Sequence, residues 1–123
     1  MLNHIGLQYP DKESAAKFFG EILGLPFQKE FILSAEISKI LFGTDSDVEV
    51  IAYGDDNFKF EVFITRGEIP QNFNHMCWMV KDRDEFVETC KKNNIDHVIL
   101  ETDSKTLVFI RDLGGNVYEI KEM

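Results

Sequence analysis

Asn3-His4-Ile5-Gly6-Leu7-Gln8-Tyr9-Pro10-Asp11 decides the reading of the fold, because Asn74-His75-Met76-Cys77-Trp78-Met79-Val80-Lys81-Asp82 repeats its plan. Each stretch sets Asn-His before an apolar run and ends on an aspartate placed to cap a helix. The histidines lie 71 residues apart (75 minus 4), more than half of the 123-residue chain. That offset predicts a duplicated unit with two equivalent histidines.

The residues after each stretch support the duplication. Asp11 and Glu13 open a helix with Ala15, Phe18, Phe19 and Ile22 at helical spacing, and Gly24 and Pro26 end it. In the second half Asp82 and Glu85 form a capping-box pattern, followed by Phe86, Val87 and Cys90 on the buried side. Strands are expected over 2–8, 27–33, 47–53 and 58–65, then over 74–80, 97–101, 105–111 and 117–121. The turns Gly54-Asp55-Asp56-Asn57 and Asp112-Leu113-Gly114-Gly115-Asn116 join the last two strands of each half. A short helix from Ser34, with Ile37, Ile40 and Leu41 on one face and Gly43 after it, is an insertion confined to the first half.

The expected architecture is α+β, a single domain over 1–123 made of two tandem βαβββ modules. The first covers 1–66 and carries the inserted helix near 34–43. The second covers 74–123.

Glu61 and Glu119 are the acidic residues central to the last strand of each half. They lie 58 residues apart (119 minus 61), 13 fewer than the histidines, about the size of the inserted helix and its flanks. The duplication thus pairs His4 with His75 and Glu61 with Glu119. Two imidazoles and two carboxylates make a mixed nitrogen and oxygen shell suited to a divalent ion such as Zn, Ni, Co, Fe or Mn. Such an ion polarises a carbonyl, and a carboxylate beside it, Glu119 or Glu61, can serve as general base. Glu49 competes for the Glu61 role if the strand register differs. His97 is read as a surface residue, and Phe63, on the face of Glu61, as a pocket wall.

Composition narrows the partners. The apolar fraction of 44% allows a core, and the formal charge of −9 argues against nucleic acid and anionic membrane surfaces. No signal peptide or membrane span is read at the start of the chain, so a cytoplasmic location is expected. Cys77 and Cys90 are read as reduced, mostly buried thiols. Exposed sheet edges suggest a homodimer, whether the modules pair within one chain or swap between two.

The chain resembles the vicinal oxygen chelate superfamily, the glyoxalase, bleomycin resistance and extradiol dioxygenase group, and within it glyoxalase I. The matching residues are Asn3-His4-Ile5-Gly6-Leu7, Phe18-Phe19-Gly20-Glu21-Ile22-Leu23-Gly24-Leu25, Asn74-His75, and Arg111-Asp112-Leu113-Gly114-Gly115-Asn116-Val117-Tyr118-Glu119-Ile120. The resemblance implies modules whose mixed sheets curl around a cup. It implies metal ligands at His4, Glu61, His75 and Glu119, and a lyase or isomerase acting on a small molecule that chelates the metal through two oxygens. Gln8 stands where bacterial glyoxalase I-like sequences commonly have an arginine near the glutathione site, and Gly6 also departs from their usual residue. Both argue against a glutathione substrate. The alternative is a small-molecule or antibiotic-binding resistance protein of the same fold. An extradiol-type dioxygenase or an epimerase is the further alternative.

Overall fold

Alternating burial along the first strand sets the layers of the first unit. The computed structural model describes all 123 residues. It divides into two compact units, Met1–Gly67 and Glu68–Met123. In β1 (His4–Tyr9), Leu7 and Tyr9 are buried, whereas His4, Gly6 and Gln8 point to the other face. The helix packs on the buried face. Asp11 caps it by accepting the Ser14 N–H at 2.7 Å.

The helix begins as α1 (Lys12–Ala15) and runs straight into a π-helical segment, Ala16–Ile22. The Leu23 N–H reaches back five residues to the Phe18 carbonyl at 2.8 Å. The even helical spacing read from the sequence is thus widened. The wider turn carries two consecutive aromatics, Phe18 and Phe19, into full burial. Phe19 lies 5.4 Å from Tyr9, 5.5 Å from Phe60 and 5.9 Å from Tyr53, measured between ring centres, and this aromatic cluster is the core of the unit. Gly24, at φ 73°, ends the helix in the left-handed conformation that a side chain resists.

The remaining strands are β2 (Phe27–Leu33), β3 (Val48–Gly54) and β4 (Lys59–Ile64). The sheet order is β1-β4-β3-β2, with β1 parallel to β4 and the other pairs antiparallel. The second unit repeats this plan with β5 (Met76–Val80), α3 (Arg83–Lys92), β6 (Asp96–Glu101), β7 (Thr106–Arg111) and β8 (Val117–Glu122). Its order is β5-β8-β7-β6, again with the first and last strands parallel. Asp82 caps α3 through the Glu85 N–H at 2.9 Å, as the capping box implied. Phe86, Val87 and Cys90 are its buried residues.

The insertion is α2 (Ala35–Phe42), in the connection from β2 to β3 where β6 and β7 have only a tight turn. Ser34 caps it, and Gly43 closes it at φ 72°. Its apolar stripe faces outward: Ile37, Ile40 and Leu41 are exposed, and Ser38 is its buried residue.

One expectation is corrected. Cys90 is buried, but Cys77 is exposed, because its parity on β5 points it away from α3.

Candidate functional site

The strand registers give the two units the same local geometry. In the first unit Glu61 on β4 lies opposite Gly6, two residues after His4. In the second, Glu119 on β8 lies opposite Cys77, two residues after His75. Histidine and glutamate therefore share one sheet face in each unit. His4 Nε2 is 3.5 Å from Glu61 Oε1, and His75 Nε2 is 4.0 Å from Glu119 Oε2. The histidine side chains are about half exposed, and the glutamates are largely buried, at 19% and 18% exposure. No three His, Cys, Asp or Glu side chains are gathered within either unit.

Both imidazoles are turned by a second partner. Nδ1 of His75 lies 2.9 Å from the Phe73 carbonyl oxygen, which can only accept, so Nδ1 carries the proton. Nδ1 of His4 lies 3.4 Å from Asn3 Oδ1. The Asn3 amide is itself fixed, because its Nδ2 donates to the Asp56 carbonyl at 2.8 Å. In the neutral ring, an Nδ1 that carries the proton leaves the Nε2 lone pair facing a carboxylate oxygen. Two acceptors so placed repel unless a proton or a cation lies between them. A backbone or amide oxygen on Nδ1 that aims a bare Nε2 is the usual outer support of a metal-binding histidine.

Each pair offers one imidazole nitrogen and one carboxylate oxygen, donors of the kinds that a divalent ion takes. Two donors about 2.1 Å from one ion, at octahedral or tetrahedral angles, stand roughly 3.0–3.4 Å apart. The His4–Glu61 separation of 3.5 Å nearly meets this, and the His75–Glu119 pair needs to close by about half an ångström. Within the first unit His4 and Glu61 are the residues that could contact an ion, and within the second His75 and Glu119.

The surroundings of the two pairs differ. Phe109 on β7 lies opposite Glu119 and 5.6 Å from the His75 ring, giving the second pair an aromatic wall. The residue opposite Glu61 on β3 is Ala52. Lys121 Nζ stands 3.8 Å from Glu119 Oε1, whereas two residues beyond Glu61 the same face carries Phe63.

Competing residues go elsewhere. Glu49 accepts from Lys12 Nζ at 2.6 Å, and this contact, with Glu30 nearby, raises the Lys12 pKa. Glu49 is thus tied to the helix. His97 is an exposed residue with Nδ1 3.4 Å from the Ile95 carbonyl.

Asp112, within the Arg111–Asn116 motif, is a structural residue. Its buried carboxylate accepts from the backbone N–H of Gly114 and of Asn116, both at 2.9 Å, from the Asn116 side chain at 3.0 Å and from the Tyr118 hydroxyl at 2.7 Å. Burial pushes its pKa up, against these donors. The motif shapes the β7–β8 turn and so sets the register that places Phe109 beside Glu119.

Comparison with known proteins agrees with this architecture. No curated protein sequence matches the chain. Fosfomycin resistance protein FosX from Listeria monocytogenes superposes with a TM-score of 0.74 at 12% identity, over 100% of this chain and 93% of that one. A glyoxalase family protein from Bacillus cereus gives 0.72 at 20% identity, over 99% and 92%. The trypanothione-dependent glyoxalase I of Leishmania major gives 0.69 at 17% identity, over 99% and 86%. The family model described as Glyoxalase/Bleomycin resistance protein/Dioxygenase superfamily matches residues 3–105. With two βαβββ units of one topology and a family match over most of its length, the chain belongs to the glyoxalase/bleomycin resistance protein/dioxygenase superfamily.

Proposed function

We propose that the chain is a metal-dependent lyase or isomerase of glyoxalase I type, with His4, Glu61, His75 and Glu119 as metal ligands. The observation that carries this is the shared register, with a histidine and a glutamate facing each other at 3.5 Å and 4.0 Å and each Nδ1 turned onto an oxygen. A FosX glutamate-to-glutamine mutant with a TM-score of 0.76 to this chain is complexed with Mn(II) and a dihydroxypropylphosphonic acid. That precedent for a divalent ion on this fold supports the reading.

A divalent ion held by His4, Glu61, His75 and Glu119 would supply Lewis-acid polarisation of a carbonyl on a small molecule with two neighbouring oxygens. The remaining work falls to the protein. Asn3 and the Phe73 carbonyl hold the imidazoles in the tautomer that leaves Nε2 bare. A carboxylate oxygen of Glu119 or Glu61 takes the proton from the carbon beside the carbonyl and returns it to the neighbouring atom. Phe109 shields the Glu119 side from water. No helix is long and apolar enough to cross a membrane. Val98, Ile99 and Leu100 are exposed on edge strand β6, which supports a homodimer.

The test follows solvent deuterium into the carbon beside the carbonyl of α-hydroxycarbonyl compounds and of the methylglyoxal–glutathione hemithioacetal. Metal-loaded protein is expected to catalyse exchange with at least one of them. Glu119→Gln and Glu61→Gln are expected to lower the rate ~100-fold or more when the residue is the base. Metal binding with no exchange on any of these compounds would favour the binding-protein alternative.

A further inference from the structure

A cavity of about 350 Å³ opens within the first unit, on the sheet face that carries His4 and Glu61. It lies between β1, β4 and the inserted helix α2, with Gly6, Gln8, Phe63, Ser38, Phe42 and Thr44 in its wall. Gly6 and Gln8 follow His4 on the same face of β1, and Phe63 follows Glu61 on β4. The strand rise puts Phe63 about 7 Å from Glu61 along the sheet.

The wall is preformed. Ser34 caps α2, Asp47 accepts the Ala35 N–H at 2.7 Å, and Gly43 closes the helix. Gly6 lets the Phe63 ring lie against β1, since a Cβ there would stand 3.1 Å from Phe63 Cε1. The Phe42 and Phe63 rings meet edge to face at 5.5 Å.

Two features define the occupant. None of the residues lining the cavity is charged. The helix that walls it is also inverted: Ile37, Ile40 and Leu41 face outward, and Ser38 faces inward, hydrogen-bonded to the Thr44 hydroxyl. A helix that turns its hydroxyl in and its aliphatic residues out forms a poor core but a good polar anchor. An aromatic wall made by two contacting rings, with hydroxyl and amide groups beside it, suits a flat, neutral ring with an oxygen substituent. A dry cavity of about 150 Å³ holds one benzene, so this one has room for a ring and a short substituent.

We propose that this cavity binds the ring end of the substrate, an uncharged single ring carrying a hydroxyl or carbonyl oxygen. As a statement about substrate it rests on the metal-site reading above, but the cavity needs no metal to bind. The ring lies against the contacting pair Phe42 and Phe63, and its oxygen bonds to the Ser38–Thr44 hydroxyls or to Gln8. Anionic and purely aliphatic compounds are selected against.

The test titrates metal-stripped, isotopically labelled full-length protein with phenacyl alcohol, a neutral ring with vicinal oxygens. Benzoylformate, its charged counterpart, and hydroxyacetone, which has no ring, are the controls. Amide shifts are expected at Gly6, Gln8, Ser38, Phe42 and Thr44, with phenacyl alcohol binding about tenfold more tightly than either control. Phe42→Ala removes an exposed side chain, so the fold survives, and is expected to weaken binding roughly fivefold. Thr44→Val serves as the second variant and is expected to weaken the oxygen-bearing probe but not toluene.

Shifts that map elsewhere, benzoylformate binding as well as phenacyl alcohol, or unchanged binding in both variants would overturn the proposal. Manganese binding is followed on the same samples by electron paramagnetic resonance. Manganese binding without ring binding overturns the cavity assignment alone. Ring binding without manganese binding upholds the cavity and overturns the metal site.

Discussion

Replacing Asp112 with alanine removes the one acceptor that four donors share. The Tyr118 hydroxyl and the Asn116 groups lie in residues at 0% and 7% exposure, so water replaces few of the lost bonds. Each buried donor left without a partner costs about 1–3 kcal/mol. Removing a carboxylate whose burial already penalises its charge recovers part of this. The net expectation for Asp112→Ala is a loss of ~3 kcal/mol, read as a lower urea midpoint by circular dichroism at pH 7. Asp112→Asn keeps the acceptor for Gly114 and the Asn116 backbone but sets an amide against the Asn116 amide, and should cost about 1 kcal/mol.

The pH dependence has a definite sign. The folded-state pKa of Asp112 is raised above its unfolded value near 3.8, so the folded protein holds this proton more tightly. The stability it contributes is full below the unfolded pKa and is lost as pH rises through the folded one. Wild type should therefore gain on Asp112→Asn as pH falls from 7 towards 4. An alanine variant that loses under ~1 kcal/mol, or a wild-type advantage that shrinks on acidification, would refute the reasoning.

Gly54 sits at φ 134°, where a Cβ would lie within 2.8 Å of the Phe58 carbonyl and of Lys59, so Gly54→Ala should break the β3–β4 turn and cost ~3 kcal/mol or more in thermal denaturation. A disulfide-exchange reagent should label Cys77 in the native protein and spare Cys90, whose thiol burial pushes up to about 11; Cys90 should react only on unfolding. Sedimentation at micromolar concentration should give twice the 14.2 kDa chain mass, and Ile99→Lys on the exposed edge strand should shift it towards the monomer.

What the sequence disclosed follows its physics. Period-two burial and aspartate caps mark β1, α3 and β8, and the Asn-His repeat with its differing offsets located α2. The π-helical widening after Ala15 left no mark, because a slip in backbone hydrogen bonding needs no special residue. The exposed face of α2 was also hidden, since a helical stripe tells which residues share a side but not which side packs. Cys77 was misjudged as mostly buried although its parity, shared with His75, already pointed it away from the helix. Phe109 was missed as a wall of the site. The turn Asp112–Asn116 could have exposed it, because counting the β7–β8 register back from that turn sets Phe109 opposite Glu119.

The most direct measurement is metal content, by elemental analysis, of protein purified without added metal and of protein reloaded with Mn(II) or Zn(II). His4→Ala, His75→Ala and Gln8→Ala are carried in parallel. Expected is close to one ion per chain in the wild type and in Gln8→Ala. Loss of one ligand should cost His4→Ala and His75→Ala most of that metal, about 100-fold or more in affinity. Equal metal in the wild type and both histidine variants, whether near zero or near one, would contradict the assignment of His4 and His75, with Glu61 and Glu119, as the metal-binding pairs.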